Sequence, residues 1–190
     1  QCQVTITNCL INSLSKVIPP KTAIIRVTSN NKDVSFLFQT KIAGLSPFKR
    51  LIFSLQRAGI NDFLIFQEKT VLVDQQEIEK KIQNDFRFKS SFKWNTLEKE
   101  SLEKNLNPIN LLSESDIVLI VESDLVTTTG LIKDFISTTC SLGTEAVTGL
   151  ISKSNHSDGI YLAAPSSVKD YLRYGSFNKT VTPVNLPGPW

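Results

Sequence analysis

KIAGLSPFKRLIFSLQRAGINDFLIF, residues 41–66, contains the start and the end of a helix, followed by a strand. Ser46 is a residue type that caps helices, and Pro47 suits the first helical position. Apolar side chains then recur at helical spacing, which predicts one face buried against a sheet: Phe48, Leu51, Ile52 and Leu55. Gly59 suits the end of the helix, and the unbroken apolar run 63–66 is typical of a strand covered on both faces. The segment therefore predicts half of an α/β unit.

Similar signals continue along the rest of the chain. We predict strands at residues 22–27, 62–66, 116–121, 146–151 and 159–164, and one with a single packed face around Phe88, Phe92 and Trp94. We predict helices at residues 75–84 and 97–106, and two more that start near Thr127 and at Pro165. Residues 33–39 fit a second strand or a packed loop, and Val4 and Ile6 fit an edge strand. Strands alternating with helices predict a Rossmann-like α/β fold, with a mixed, mainly parallel sheet flanked by helices and strands 22–27, 62–66 and 116–121 adjacent at its centre.

Length and composition limit the possible functions. The chain has 190 residues, which favours one domain over residues 1–190 with a lead-in at 1–21. A net charge of +3 is too small to indicate a nucleic-acid partner. No apolar run is long enough to span a membrane, so we expect a cytoplasmic domain, or the cytosolic part of a membrane protein. The chain begins with Gln1 and contains no Met, from which we expect a fragment of a longer protein.

The three cysteines, Cys2, Cys9 and Cys140, form neither a disulfide framework nor a zinc pattern. A bridge between Cys2 and Cys9 and reduced, unpaired thiols both fit the spacing.

Three blocks of residues, in order, resemble the nucleotidyltransferases of the nucleotide-diphospho-sugar transferase type. Those enzymes carry a Gly-x-Pro-Leu-x-x-Arg … Ala-Gly-Ile run, and the matching residues here are Gly44, Pro47, Arg50, Ala58, Gly59 and Ile60. The second block is Asp158-Gly159-Ile160-Tyr161-Leu162, and the third is the closing stretch 184–190, where the family places a further acidic metal ligand shortly after a Trp. The chain is most similar to the cytidylyltransferase domain that supplies inositol phospholipid synthesis, which is often fused to a membrane-embedded phosphatidyltransferase.

Asp124 follows the apolar strand 116–121, where a parallel sheet places its ligands. Carboxylate oxygen suits Mg²⁺, which bridges protein carboxylates and substrate phosphates. The resemblance implies that Asp124 is the catalytic metal ligand, although Ser123 stands where the family has Gly. The alternative is an acidic residue that caps the loop before the next helix.

The resemblance also implies the substrate-binding residues. Asp158 and Gly159 correspond to the place where a strand approaches the acceptor, although a core strand with a leading turn fits equally. The family's glycine-rich nucleotide loop corresponds to residues 25–33, which contain no Gly. Ser29, Asn30 and Lys32 are the available donors there, and Lys41 corresponds to a family Lys. We expect Asp124 at the mouth of a cleft, with Ser29, Asn30 and Gly159 on its walls.

Two functions follow as expectations. The first is transfer of a nucleotide from a nucleoside triphosphate, with CTP favoured, to a sugar or polyol phosphate such as inositol phosphate, with Mg²⁺ as cofactor and release of pyrophosphate. The second is a degenerate domain that keeps the fold for binding, regulation or assembly. Asp124 favours the first, and the loop without glycine favours the second.

Overall fold

Strands and helices alternate along the chain in a computed structural model, which describes residues 18–28, 34–98, 102–113, 115–142, 147–151, 157–184 and 186. The strands are β1 (Thr22–Val27), β2 (Asp62–Glu68), β3 (Ser91–Leu97), β4 (Val118–Glu122), β5 (Thr148–Ile151), β6 (Ser157–Ala163) and β7 (Thr182–Val184). The helices are α1 (Val34–Gln39), α2 (Pro47–Arg57), α3 (Gln75–Gln83), α4 (Leu102–Asn105), α5 (Asn107–Asn110), α6 (Thr129–Leu142) and α7 (Pro165–Tyr174).

Within the described residues the strands form one seven-stranded sheet in the order β3-β2-β1-β4-β6-β5-β7. β1 pairs in parallel with β2 and β4, β2 with β3, and β5 with β7. β6 is antiparallel to both of its neighbours, β4 and β5. The predicted mixed, mainly parallel sheet is therefore confirmed, and so is the adjacency of β2, β1 and β4 at its centre.

Helices cover both faces of the sheet. On one face, the strands bury a cluster together with α1, α2, α3 and α6, which includes Leu55, Ile82 and Phe135. On the other face, a second cluster joins the strands to α5 and α7, and it includes Ile109 and Leu172. β1 lies between the two clusters, which explains why four of its six residues are apolar: Ala23, Ile24, Ile25 and Val27.

The helix predicted from residues 46–59 is confirmed as α2. The Ser46 side chain accepts a hydrogen bond from the Lys49 backbone N–H at 3.3 Å, and Pro47 begins the helix. Gly59 follows the helix with φ +107°, a backbone conformation that favours glycine. The predicted core residues Leu51, Ile52 and Leu55 are all buried, at 2% exposure or less.

Residues 34–39 form α1, so the predicted strand or packed loop at 33–39 is wrong. Phe36 is partly exposed, whereas Leu37 and Phe38 are buried, and the Phe38 ring lies 4.7 Å from that of Phe48 in α2. A short apolar run is compatible with either a strand or a helix. Here packing against α2 decides between them.

The predicted helix 97–106 is also wrong in its extent. Leu97 instead ends β3, where it pairs with Glu68 at the end of β2. Among the described residues of that range, Leu102–Asn105 is helical, and Pro108 lies in the first turn of α5 instead of closing a helix. Pairing with a neighbouring strand extends β3 beyond what local charge patterning indicates.

Other bounds differ by a few residues. β4 begins at Val118 instead of residue 116, and β6 begins at Ser157 instead of residue 159. Phe88 lies before β3, where its ring contacts those of Phe63 and Phe92. Val4, Ile6, Ala146 and residues 187–190 lie outside the described residues. No helix in the described part of the chain is long and apolar enough to cross a membrane.

Candidate functional site

The carboxyl ends of the three central strands meet at one edge of the sheet. Arg26 near the end of β1 is the register partner of Glu122 at the end of β4, and of Phe66 in β2. β6 runs the opposite way, so its first residues reach the same edge, with Ile160 paired to Val121. α2 leads back to the start of β2, and its N-terminus therefore also lies at this edge. In open parallel sheets this is the edge at which ligands bind.

Asp124 lies at this edge in a tight turn after β4. The turn is closed by a hydrogen bond from the Leu125 N–H to the Glu122 carbonyl at 3.1 Å. The Ser123 N–H donates to the Arg26 carbonyl at 3.0 Å, which fixes the turn to the end of β1. The Asp124 side chain is exposed to solvent. At the start of α6, Thr128 Oγ1 accepts a hydrogen bond from the Leu131 N–H at 3.2 Å, so Thr128 caps this helix.

Gly159 lies directly beside Glu122. A Cβ at residue 159 would be 3.1 Å from both Cβ and Cγ of Glu122, and the φ of Gly159 is +70°. Glycine is therefore required here for close packing against a side chain of the neighbouring strand. Of the predicted site residues, the structure brings Asp124 and Gly159 to the same edge.

The structure describes only some of the other predicted site residues. Lys41 is exposed in the loop that precedes α2. Asp158 belongs to β6, and only its backbone is described. Ser29, Asn30 and Lys32 lie outside the described residues, as does the loop they belong to.

A group of charged and aromatic side chains at the same edge, the Glu122 network, consists of Arg26, Glu68, Glu122 and Tyr171. Arg26 Nη2 donates to Glu68 Oε1 at 3.0 Å, and Arg26 Nη1 lies 3.7 Å from Glu122 Oε1. Tyr171 Oη donates a hydrogen bond to the same Glu122 oxygen. The Arg26 guanidinium carbon lies 5.4 Å from the centre of the Tyr171 ring. These contacts join β1, β2, β4 and α7.

Burial dominates the electrostatics of the Glu122 network. It raises the pKa of the Glu122 carboxyl, against the opposing effects of the Tyr171 hydrogen bond and the Arg26 charge. The neighbouring charges of Asp124 and Glu68 raise the pKa of Glu122 further. Burial also raises the pKa of Tyr171, and the charge and hydrogen bond of Glu122 add to this effect. Tyr171 is therefore a neutral donor at physiological pH.

The Glu122 network is absent from the residues predicted from the sequence, although one signal for it exists. Arg26 interrupts an apolar strand, residues 22–27, that is buried on both faces. A charged residue in such a strand needs a partner of opposite charge. The sequence indicates that Arg26 has a partner but not which residue it is, because Glu68 and Glu122 are 42 and 96 positions further along the chain.

The acidic side chains at this edge determine whether a metal ion could bind there. Among the described residues, no group of three or more His, Cys, Asp or Glu side chains is arranged to hold a metal ion. Glu122 is engaged by Arg26 and Tyr171, whereas Asp124 is exposed. A lone exposed carboxylate fits a Mg²⁺ ion that takes its remaining oxygen ligands from substrate phosphates and water. The described residues at this edge therefore supply one exposed carboxylate for a cation, that of Asp124, and not a complete set of protein ligands.

Neither a protein-family model nor a curated protein matches the sequence. Solved structures do match its fold, at low sequence identity. A manganese complex of a protein from Mycobacterium tuberculosis H37Rv superposes with a TM-score of 0.58 and 8% identity, over 90% of this chain and 91% of that chain.

Two further matching structures, among others, are enzymes named for their nucleotide chemistry. The 4-diphosphocytidyl-2C-methyl-D-erythritol synthase from Anaerococcus prevotii gives a TM-score of 0.54 at 11% identity, over 87% of this chain and 86% of that one. The inositol-1-phosphate CTP transferase from T. maritima gives 0.51 at 14% identity, over 87% of this chain and 78% of that one. Strand order, mixed strand directions and these superpositions together show that the chain has the nucleotide-diphospho-sugar transferase fold.

Proposed function

We propose that this domain is a nucleotidyltransferase that joins a nucleoside triphosphate to a sugar or polyol phosphate. The observation that carries the proposal is the position of Asp124, an exposed carboxylate in the turn after central strand β4 of this fold. CTP is the favoured nucleotide and inositol phosphate the favoured acceptor. A role in phospholipid synthesis in the cytoplasm is part of the same proposal.

The proposed reaction is an in-line displacement at phosphorus. A phosphate oxygen of the acceptor attacks the α-phosphorus of the triphosphate and forms a new P–O bond. The bond from the α-phosphorus to the bridging oxygen breaks, and pyrophosphate leaves with that electron pair. Such a transfer requires mainly positioning and stabilisation of developing charge.

The residues of this chain would divide these tasks. Asp124 would hold Mg²⁺, which when bound neutralises phosphate charge. Ser29, Asn30, Lys32 and Lys41 are proposed to contact the nucleotide, and Asp158 and Gly159 to lie beside the acceptor. Gly159 packs against Glu122, two residues before Asp124, which supports the assignment of Asp124 and Gly159 to one site.

One observation favours a second candidate, a domain that keeps the fold without catalysis. The Glu122 network pairs the Nη groups of Arg26 with Glu68 and Glu122, at the edge where the substrate phosphates would bind, whereas the buried Arg26 Nε has no hydrogen-bond partner among the described residues. A phosphate that used the Nη groups of Arg26 would have to compete with these two carboxylates. A binding, regulatory or assembly role is compatible with this pairing.

Calorimetry separates the two candidates. The chain is titrated with CTP, ATP, GTP and UTP, each with and without Mg²⁺, alongside Asp124→Asn and the control Asp134→Asn, which alters an exposed carboxylate on α6. We expect Mg²⁺-dependent binding of at least one triphosphate, its loss in Asp124→Asn, and its retention in Asp134→Asn. Binding of none of the four would reject the transferase and leave the non-catalytic domain.

A further inference from the structure

The carboxylate of Glu122 is held from two directions. Tyr171 of α7 donates a hydrogen bond to Oε1, and the Arg26 guanidinium of β1 lies 3.7 Å from the same oxygen. Gly159 of β6 packs against the Cβ and Cγ of Glu122 on a third side. The side chain thus contacts three different elements, and it has little freedom to adopt another rotamer.

The held side chain stands directly before the turn that carries Asp124. The Glu122 carbonyl accepts the hydrogen bond that closes this turn, and the Arg26 carbonyl accepts from Ser123. The same two residues therefore anchor the turn through their backbones and each other through their side chains. A change in the side-chain contacts of Glu122 would therefore also alter the turn, because the turn begins at Glu122.

The charges of the Glu122 network also affect Asp124. Glu68, Glu122 and Asp124 place three carboxylates at this edge, with Arg26 as the cation that contacts two of them. The side chains of Arg26 and Glu122 retain only 17% and 19% of their accessible surface, so solvent screens their interaction less than it screens Asp124. Arg26 therefore reduces the repulsion that Glu122 would exert on Asp124.

We propose that Glu122, held by Arg26 and Tyr171, is a positioning residue that keeps the Asp124 turn ordered for binding of a cation and a triphosphate. This inference rests on the proposed nucleotidyltransferase function. It assigns to Arg26 a role within the protein, through Glu122, instead of direct contact with phosphate. It also assigns a role in the site to α7, whose Tyr171 donates a hydrogen bond to Glu122.

Tyr171→Phe tests the inference, because it removes one hydroxyl and keeps the ring packed against Phe177. The control is Tyr174→Phe, which removes a hydroxyl from a residue of the same helix that is 67% exposed. The first readout is amide hydrogen exchange at Ser123 and Leu125, with the α6 amides of Phe135 and Ile136 as internal reference. The second is the affinity for Mg²⁺ with the triphosphate that the wild-type chain binds.

Loss of one hydrogen bond to a buried carboxylate is expected to speed exchange at Ser123 and Leu125 about tenfold and to weaken triphosphate binding by a similar factor. The α6 amides and the Tyr174→Phe variant should match wild type. A rescue variant, Glu122→Gln, keeps an oxygen that accepts from Tyr171, so its turn should exchange more slowly than that of Glu122→Ala.

The outcomes distinguish failure of this inference from failure of the proposed nucleotidyltransferase function. Unchanged exchange at Ser123 and Leu125 in Tyr171→Phe overturns the positioning role alone. Faster exchange with unchanged triphosphate affinity also overturns it, because the order of the turn would then have no effect on triphosphate binding. A wild-type chain that binds no triphosphate overturns the proposed function, whatever the exchange rates show.

Discussion

Gly159 packs so closely against Glu122 that a side chain at residue 159 would crowd it: a Cβ there would lie 3.1 Å from Cβ and Cγ of Glu122. The contact joins the first residues of β6 to the last residue of β4. The same glycine has a φ of +70°, which side-chain-bearing residues rarely adopt.

Gly159→Ala should therefore destabilise the protein by about 1–3 kcal/mol, because alanine would be strained at this φ and would displace Glu122. The measurement is chemical denaturation. Gly130→Ala is the matched control, since a Cβ there meets only Thr128 Oγ1, at 3.9 Å, in the first turn of α6. The control should leave stability unchanged or raise it slightly. Equal effects of the two substitutions would contradict this account of Gly159.

Leu55→Ala should cost roughly 2–5 kcal/mol, as expected for a large-to-small change in a packed core. Leu55 is fully buried on the face of α2 that contacts the sheet. Leu72, which is 92% exposed, supplies the control Leu72→Ala. Denaturant melts should show this loss of stability for Leu55→Ala and almost none for Leu72→Ala. A loss below about 1 kcal/mol would mean that the core relaxes around this site.

Asp85 should make stability depend on pH at the acidic end. Side-chain hydrogen bonds from Arg87, at 2.7 and 2.8 Å, hold the pKa of Asp85 well below its ordinary value, against a smaller effect of burial, and Lys49 lies 2.7 Å away. A carboxyl whose pKa is lower in the folded state stabilises the fold above its unfolded pKa of about 4 and loses that contribution as pH falls towards the folded value.

The test is thermal or chemical unfolding of wild type and Asp85→Asn between pH 7 and pH 2.5. The gap in stability between them should be widest at neutral pH and should narrow as the pH falls below about 4. Asp134→Asn, at an exposed position of α6, should track wild type throughout. A gap that stays constant with pH would assign the effect of the substitution to packing.

Gln67 should contribute to stability through its polar contacts. Its side chain is 3% exposed, accepts from Trp94 Nε1 at 2.9 Å and donates to the Val71 carbonyl at 2.6 Å. Gln67→Leu would leave both groups without this partner, at a cost of roughly 1–3 kcal/mol. Gln76→Leu, at an exposed position of α3, is the control for denaturant melts. An effect no larger than that of the control would show that the two groups find other partners.

Local signals in the sequence were sufficient for much of the fold. A capping Ser46, the Pro47 that follows it and the stop at Gly59 define α2 without reference to any other part of the chain. The apolar runs predict β1, β2 and β4, because a strand buried on both faces needs apolar residues at consecutive positions. Where two conformations satisfy the same short pattern, as in residues 34–39, only the packing partner decides between them.

The candidate site divides in the same way. The sequence by itself placed Asp124 and Gly159 at strand ends, since an acidic residue after an apolar strand and a glycine at the start of one are local features. Only the tertiary structure decided that Glu122 packs against Gly159 and is held by Arg26 and Tyr171. The hydrogen bonds of the network join residues 42 and 49 positions apart, so they depend on strand order and on the placement of α7. The sequence predicts that β2, β1 and β4 are central neighbours, whereas the antiparallel position of β6 beside β4 and the placement of α7 follow from the burial of all helices and strands together.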